Sequence, residues 1–180
     1  MVIVSAILES LAHIQLSTDS DSVEQAQRAL AVARSHQLDD VFHGIPQLSA
    51  MMQIADISCS LLECDINQAT QRLEIMQEFM DRRINDSCWR PDGTFSIPIN
   101  SKSTVSSSSN PADFFRVEGG KLSLTLSWLP LQDLYILCYF LSSLTLSTKN
   151  SYDGHKAEKY LFEGISMLKG QCITFSLSPI

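Results

Sequence analysis

Hydrophobic residues recur at spacings of three and four along most of the chain, which is the period of an α-helix. Two such segments follow each other between Trp128 and Lys169. The first is apolar without interruption from Leu134 to Leu141, which predicts a helix buried on nearly all sides. The second is amphipathic, and its predicted inner stripe comprises Ala157, Tyr160, Leu161, Ile165 and Leu168. A buried helix followed by a covering helix predicts a helical hairpin.

Two further helices are predicted at the start of the chain. The first runs from about Val2 to Leu16, and the second from Val23 to His36. Ser22 and Gln25 have the spacing of a capping box, so we expect the second helix to begin there. The first helix starts with apolar residues and no cap. We therefore expect that the chain begins inside a longer array, because a terminal repeat presents a polar outer face.

A second helix pair is predicted between Gly44 and residue 85. Gly44 and Pro46 precede the third helix, whose apolar positions are Leu48, Met51, Met52, Ala55, Cys59 and Leu62. The apolar positions of the fourth helix are Ile66, Ala69, Leu73, Met76 and Met80. The short turn Glu63-Cys64-Asp65 joins the two helices, as expected of antiparallel neighbours.

The helical pattern fails after the second pair, and we predict a partly flexible loop insertion over residues 86–121. Trp89–Gly93 is typical of a turn, and Thr94–Ile99 of a short extended piece. Ser101–Asn110 is a polar, serine-rich segment that we expect outside the packed body. Leucines alternate with polar residues over Leu122–Leu126, which predicts a strand leading into the third pair.

These segments predict an all-α fold of stacked helix-turn-helix pairs. Residues 1–85 form the first two pairs, residues 122–169 the third pair, and residues 170–180 an irregular apolar tail. A single pair cannot bury both of its faces, so it needs neighbours stacked on it. This is the physical logic of a helical repeat array.

Charge and cysteine content narrow the range of functions. The chain has 180 residues and a net charge of −7, from 13 basic and 20 acidic residues, so no basic stripe is available to neutralise a phosphate backbone. Direct nucleic-acid binding is therefore not expected. The five cysteines are an odd number and lie mostly within apolar patterns, which favours buried thiols in a reducing compartment. The apolar run Leu134–Leu146 is shorter than the ~18 residues that a membrane span needs.

No residue pattern in the chain predicts a catalytic, metal or cofactor site. Cys59 and Cys64 have no second pair of metal ligands at a suitable spacing, so a structural role is favoured for them. Asp81-Arg82-Arg83, at the end of the fourth helix, is a candidate partner contact, although cations in a last turn also complement the helix dipole. From the residues alone we predict a non-enzymatic, helical-repeat interaction module.

Two short patterns resemble the tetratricopeptide repeat. Asp65–Ala69 is similar to the turn and second-helix entry of that repeat, with a small residue where two helices approach each other. Trp128, Leu131 and Tyr135 keep the spacing of its first-helix signature, whereas Gln132 stands where a small residue is expected. The resemblance implies a superhelix of the tetratricopeptide type.

Three longer pieces resemble the cohesin loading factor family in its fungal form. They are FMDRRINDSCWRPDGTFSIPI, LSWLPLQDLYILCYFLSSLT and HKAEKYLFEGISMLK, in this order and with a serine-rich loop between the first two. The resemblance covers Ser22 to Lys169 and implies that the chain is a segment of a longer superhelix. That family is the tetratricopeptide subunit of the sister-chromatid cohesin loader.

The resemblance implies a nuclear, non-enzymatic adaptor without a cofactor. Such an adaptor holds an extended segment of the large HEAT-repeat subunit of the loader, and it reaches cohesin and chromatin indirectly, with no direct contact to nucleic acid or membrane. The first helix of each pair commonly lines the concave face of such arrays, so Leu129, Asp133 and Ile136 are the predicted partner-binding residues. The alternatives are another helical-repeat scaffold or the regulatory region of a fungal transcription factor.

Overall fold

Six α-helices and three short β-strands make up most of the residues that the structure describes. The structure is a computed structural model, and it describes residues 2–15, 20–35, 44–83, 89–99, 115–118, 121–147 and 154–176. The helices are α1 (Val2–Gln15), α2 (Ser20–Ser35), α3 (Pro46–Leu62), α4 (Ile66–Arg83), α5 (Leu131–Ser147) and α6 (Gly154–Ser176). The strands are β1 (Thr94–Ile99), β2 (Phe115–Glu118) and β3 (Lys121–Ser127). The predicted all-α class is confirmed, since the chain is mainly helical, and a small sheet is added to it.

The chain divides into two units, which are described separately. The first unit comprises Met1–Met52 and Asp86–Pro130, and the second comprises Gln53–Asn85 and Leu131–Ile180. Helix α3 therefore contributes its first residues to one unit and its remaining residues to the other.

The first unit begins with the packed pair of helices α1 and α2. Their buried side chains are Ile3, Val4, Ala6, Ile7 and Ser10 on α1, and Val23, Ala26, Ala29, Leu30 and Ala33 on α2. Helix α2 begins at Ser20, two residues before the predicted cap. Ser22 consequently lies inside the first turn, and the predicted first residue of this helix, Val23, is nearly one turn too late.

The sheet of the first unit is antiparallel, with the strand order β1-β3-β2. Phe95 pairs with Leu126, and Ile97 pairs with Leu124. Phe95 and Ile97 are buried, whereas Ser96 between them is exposed, which is the alternation of a strand with one covered face. The predicted strand at 122–126 is confirmed. The piece predicted as extended at 94–99 is strand β1, so this part of the predicted loop insertion belongs to the sheet. Strand β2 was missed, and the serine-rich segment 101–110 lies outside the described residues.

A tight turn brings the start of β1 against the end of β3. Gly93 donates its N–H to the Arg90 carbonyl at 3.0 Å, and its own carbonyl accepts the N–H of Trp128 at 3.0 Å. The Asp92 carboxylate accepts two hydrogen bonds from Thr94, at 2.9 Å from its backbone N–H and at 2.7 Å from its hydroxyl. These bonds lower the pKa of Asp92. The predicted turn at 89–93 is confirmed.

Only glycine fits at the centre of this turn. Gly93 has a φ of +70°, which is a left-handed conformation that other residues adopt at a cost. A Cβ at this position would lie 2.0 Å from the backbone oxygen of Trp128. Beside it, the indole N–H of Trp89 donates to the Leu129 carbonyl at 3.1 Å, and the rings of Trp89 and Trp128 have centroids 6.4 Å apart.

In the second unit, a Schellman motif ends α3 and leads into α4. Cys64 has a φ of 59°, its N–H donates to the Leu61 carbonyl, and the next N–H donates to the Ser60 carbonyl at 2.9 Å. The Asp65 carboxylate then caps α4 by accepting the N–H of Gln68 at 3.0 Å. The free backbone groups at the end of α3 and at the start of α4 thus gain hydrogen bonds within three residues. This explains how so short a turn can connect the two helices.

Side-chain contacts between α3 and α4 and between α4 and α5 show how these helices pack. Arg72 on α4 forms an ion pair with Asp56 on α3 at 2.8 Å, and both side chains are largely covered. Along the next pair, Tyr135 contacts Asp81 near one end, whereas Ser142 contacts Gln77 farther along α4. Rising numbers on α5 therefore match falling numbers on α4, so the two helices are antiparallel. The predicted inner stripe of α4 is confirmed at Ala69, Leu73, Met76 and Met80.

Helix α6 packs on α5 through its small residues. Ala157 and Gly164 are buried on it, and a Cβ at Gly164 would lie 3.2 Å from Cε1 of Phe140 and 3.3 Å from Cβ of Tyr139. The predicted inner stripe was wrong at three positions, because the exposed fractions are 42% for Leu161, 36% for Ile165 and 46% for Leu168. The prediction placed large apolar side chains on the packed face of α6. Close approach between α6 and α5 instead favours small residues at the contact.

The predicted irregular tail is also corrected in part. Helix α6 runs through Gly170 and ends at Ser176, so residues 170–176 are helical. Glycine commonly marks a helix end, but Gly170 lies inside the helix. A Cβ added there would meet no atom of a neighbouring element within 4 Å, so no close packing requires a glycine at this position.

The Gly93 turn provides a first stability test. We expect Gly93→Ala to lower the free energy of unfolding of the first unit by about 2–4 kcal/mol, because it adds left-handed strain and displaces the Trp128 hydrogen bond. Urea unfolding followed by tryptophan fluorescence measures this directly, since both tryptophans of the chain lie at this turn. Gly44→Ala, in the same unit, is the matched control, because no atom lies within 4 Å of its Cβ position. An equal decrease in the free energy of unfolding for Gly93→Ala and Gly44→Ala would contradict the description of the turn.

The corrected face of α6 provides a second test. Leu134 on α5 has an exposed fraction of 0%, so Leu134→Ala is expected to cost about 2–5 kcal/mol. Leu161→Ala makes the same change on the exposed side of α6 and is expected to cost no more than about 1 kcal/mol. Urea unfolding followed by far-ultraviolet circular dichroism compares the two. A loss for Leu161→Ala as large as that for Leu134→Ala would place Leu161 back in the inner stripe.

Candidate functional site

Two clefts of the second unit lie side by side over helix α5. The first has a volume of about 230 Å³ and is lined by Gln77, Met80, Asp81, Tyr135, Cys138, Tyr139 and Tyr160. The second has a volume of about 190 Å³ and is lined by Thr70, Leu73, Glu74, Gln77, Ser142, Thr145, Leu146, Lys156 and Tyr160. Gln77 and Tyr160 line both clefts, so we treat the two as one surface and name it the α5 groove.

The α5 groove has a floor and two walls. Side chains of α5, together with Met80 of α4, form the floor. The other α4 residues form one wall, and the first turns of α6, together with Tyr139 of α5, form the other. From Thr70 to Asp81 the α4 wall is about 16 Å long at 1.5 Å per residue. An extended peptide advances about 3.3 Å per residue, so a segment of about five residues matches this length.

One end of the groove carries a hydrogen-bonded acid. The Tyr135 hydroxyl donates to Oδ1 of Asp81 at 3.2 Å. Burial, this hydrogen bond and the adjacent negative charge raise the pKa of Tyr135 to about 12. Tyr135 therefore remains a neutral donor at physiological pH, and the carboxylate keeps further acceptor capacity.

The floor beneath this end is apolar and contains sulfur. Sγ of Cys138 lies 3.9 Å from Sδ of Met80, and both residues are buried. Burial raises the pKa of the Cys138 thiol to about 12. A thiol that stays protonated is a poor nucleophile, so Cys138 acts as a small apolar side chain.

Aromatic rings form the wall on the α6 side. The rings of Tyr139 and Tyr160 have centroids 5.9 Å apart and are tilted by 38°. In the middle of the groove, the Gln77 amide donates to the Ser142 hydroxyl at 3.2 Å. The other end has charges of both signs, from Glu74 and Lys156. The groove thus combines an apolar floor, an aromatic wall and a few polar groups, which is the composition of a recognition site.

A second surface of the unit is apolar and exposed. It consists of Leu161, Phe162, Ile165 and Leu168 on α6, and we name it the α6 ridge. Phe162 is the most exposed of these side chains, at 69%. Contiguous exposed apolar residues of this kind are typical of surfaces that meet other molecules.

The residues predicted from the sequence lie elsewhere than the groove. The Leu129 carbonyl accepts the Trp89 indole N–H in the first unit, and Leu129 is half-buried. In the second unit, Asp133 is half-buried and Ile136 is 5% exposed. Their role in partner binding stays a prediction. A weak signal for the groove in the sequence was the polar pair Ser142 and Thr145, which follow the apolar run Leu134–Leu141 on α5.

Two other kinds of site are absent from the described residues. Within the described ranges, no three histidine, cysteine, aspartate or glutamate side chains lie close enough together to hold a metal ion. None of the helices in the described part of the chain is both long and apolar enough to span a bilayer.

Comparison with known proteins identifies the family. A family model described as "Cohesin loading factor" matches residues 1–177, which is nearly the whole chain. No curated protein and no solved structure matches the chain. The match extends beyond both ends of the resemblance seen in the sequence, Ser22 to Lys169. The chain therefore belongs to the cohesin loading factor family, and its role lies in cohesin loading.

Proposed function

We propose that the chain is a non-enzymatic adaptor subunit of the cohesin loader, and that its α5 groove holds an extended segment of the large HEAT-repeat subunit. The observation that carries this proposal is the pair of adjoining clefts between α4 and α6, which share Gln77 and Tyr160 and follow about 16 Å of α4. Its length suits a short extended peptide, and its open form suits a segment that passes through it. Family membership supports a partner within the loader complex.

The chemistry of the groove favours binding over catalysis. A catalytic group needs a pKa near the working pH, whereas the pKa values of Tyr135 and Cys138 are both raised to about 12. In the middle of the groove, Gln77 and Ser142 are neutral groups that donate and accept hydrogen bonds, and the charged groups Asp81, Glu74 and Lys156 lie towards its ends. These are properties of a surface that orients a peptide.

The charge of the chain supports an indirect route to chromatin. A net charge of −7 opposes contact with phosphate, because binding to DNA depends on basic side chains that release counterions. The adaptor therefore acts in the nucleus through its protein partner, and cohesin and chromatin are reached through the assembled loader.

The two other candidate surfaces are distinguishable from the groove. Asp133 and Ile136 on α5 remain candidates for partner contact, as does Leu129, which lies before this helix in the first unit, and Asp133 is the one with a half-exposed charge. The α6 ridge is apolar on the outside of the unit. The alternative functions, another helical-repeat scaffold or a regulatory region of a transcription factor, also predict protein contacts through an apolar ridge. They do not predict binding to the loader subunit.

Substitutions at Gln77 test the groove, because this residue lies where the two clefts meet. We expect Gln77→Trp to fill the groove and to reduce retention of the large loader subunit by about tenfold or more, which corresponds to about 1.4 kcal/mol. Gln77→Ala leaves the space open and is expected to retain the partner, so it is the matched control at the same position. Co-purification of the full-length protein with the large subunit measures retention, and circular dichroism verifies the fold of each variant.

A ridge variant and a DNA control complete the design. Phe162→Ser changes the most exposed residue of the α6 ridge and is expected to leave retention unchanged. Release of the partner by Phe162→Ser, together with retention by Gln77→Trp, would reject the groove as the docking site. Tight, salt-sensitive binding to isolated DNA without a retained partner would reject the adaptor function.

A further inference from the structure

We propose that the Asp81 end of the α5 groove is a pocket for a cationic side chain, an arginine or a lysine, of the extended segment that the groove holds. We name this end the tyrosine pocket, formed by Asp81, Tyr135, Tyr139 and Tyr160. The inference rests on the proposed function, because the cation is taken to belong to a partner segment. The inference specifies which kind of side chain of that segment the groove recognises.

Asp81 brings a negative charge to the tyrosine pocket. Its carboxylate lines the cleft and holds one hydrogen bond, from Tyr135 at 3.2 Å. In the part of the chain that the structure describes, no lysine or arginine forms an ion pair with it. Its neighbours on α4 are engaged elsewhere, since Arg82 pairs with Glu78 at 3.0 Å and the guanidinium of Arg83 lies 5.6 Å from the centroid of the Phe79 ring. Among the described residues, this exposed carboxylate therefore remains able to pair with a cation from another molecule.

The aromatic lining favours the same kind of ligand. Three tyrosines surround the cleft, and the rings of Tyr139 and Tyr160 form a tilted wedge with centroids 5.9 Å apart. The face of an aromatic ring carries negative charge density and attracts an ammonium or guanidinium group within about 6 Å. Rings and carboxylate thus both favour a cation, and both disfavour an anion.

The size and the floor of the cleft suit one long basic side chain. The cleft volume of about 230 Å³ is below the roughly 300–1,000 Å³ of sites for drug-sized molecules, so a single side chain is the better match. The floor of Met80 and Cys138 is apolar and suits the methylene stem of such a residue. A purely apolar side chain would instead cover the Asp81 carboxylate without pairing it, which costs free energy.

The net charge of the chain favours the same ligand at longer range. At −7, the protein attracts cationic segments and repels acidic ones before contact is made. Salt therefore weakens the interaction, both by screening this attraction and by screening the pair at Asp81.

A small probe tests the pocket without the partner protein. The full chain, with isotope-labelled tyrosine rings, is titrated with N-acetyl-arginine N-methylamide and, separately, with N-acetyl-glutamate N-methylamide, and the ring resonances are followed by NMR. We expect saturable shifts of Tyr135, Tyr139 and Tyr160 with the arginine compound only. Asp81→Asn is expected to weaken this binding about fivefold, the loss of about 1 kcal/mol.

Two control variants separate the pocket from a general effect of charge. Glu78→Gln removes one carboxylate from the exposed face of the same helix and is expected to leave binding unchanged. Tyr139→Leu keeps the charge of Asp81 but removes a ring, and it is expected to weaken binding about threefold or more. Equal weakening by Asp81→Asn and Glu78→Gln, or equal shifts with both compounds, would overturn the pocket.

The outcome is distinguishable from that of the proposed function. In one outcome, the large loader subunit is retained, Gln77→Trp reduces its retention, and the arginine compound causes no saturable shift. The groove is then supported as the docking site, and the cationic pocket is rejected. In the other outcome, the arginine compound binds, Asp81→Asn weakens its binding, and the large loader subunit is not retained. The pocket is then supported as a cation site, and the proposed adaptor function is rejected.

Discussion

Helix α5 has no charged side chain after Asp133, and from there to Ser143 no residue on it is exposed. A helix without a polar face cannot stay in water alone, so it must be covered on all sides. In the second unit α4 covers one side and α6 another, through contacts such as Gln77 with Ser142 and Gly164 with Phe140. The two covering helices do not close over α5 completely. The strip that they leave accessible is the α5 groove, so the need to bury this helix also creates the candidate binding surface.

The residues at which the helices approach each other are small or form local hydrogen bonds. Gly164 lets α6 approach within van der Waals contact of α5, and Cys64 and Asp65 let α3 end and α4 begin within one turn. In the first unit, Gly93 has the same role between the tryptophans and β1. Each is a position where a bulkier residue, or the loss of one acceptor, would separate elements that must touch. Close approach, and not the amount of apolar surface alone, determines how the pairs pack.

This difference explains which parts of the structure could be predicted from the sequence. Periodicity and apolar runs located all six described helices, because large apolar residues report burial well on α4 and α5, and alternation located one of the three strands, β3. On α6 it identified Ala157 but missed Gly164 and wrongly placed three larger residues on the packed face. It also missed β2, a strand of four residues whose pairing with β3 is not encoded locally. The groove was not predicted either. It depends on side chains from three helices, and the spacing within any one helix does not show that Asp81 and Tyr135 meet.

The electrostatics of the groove and of the whole chain point to one division of labour. An acidic protein cannot compete with DNA by binding phosphate, but it can compete with DNA for the basic side chains of a partner. An arginine or lysine in the proposed pocket would pair with the Asp81 carboxylate and the aromatic faces, and would therefore be withheld from phosphate. A segment rich in such residues would bind chromatin without selection if it were left free. On the proposed function, enclosing part of it in the α5 groove would limit that contact and would leave the choice of site on chromatin to the rest of the loader.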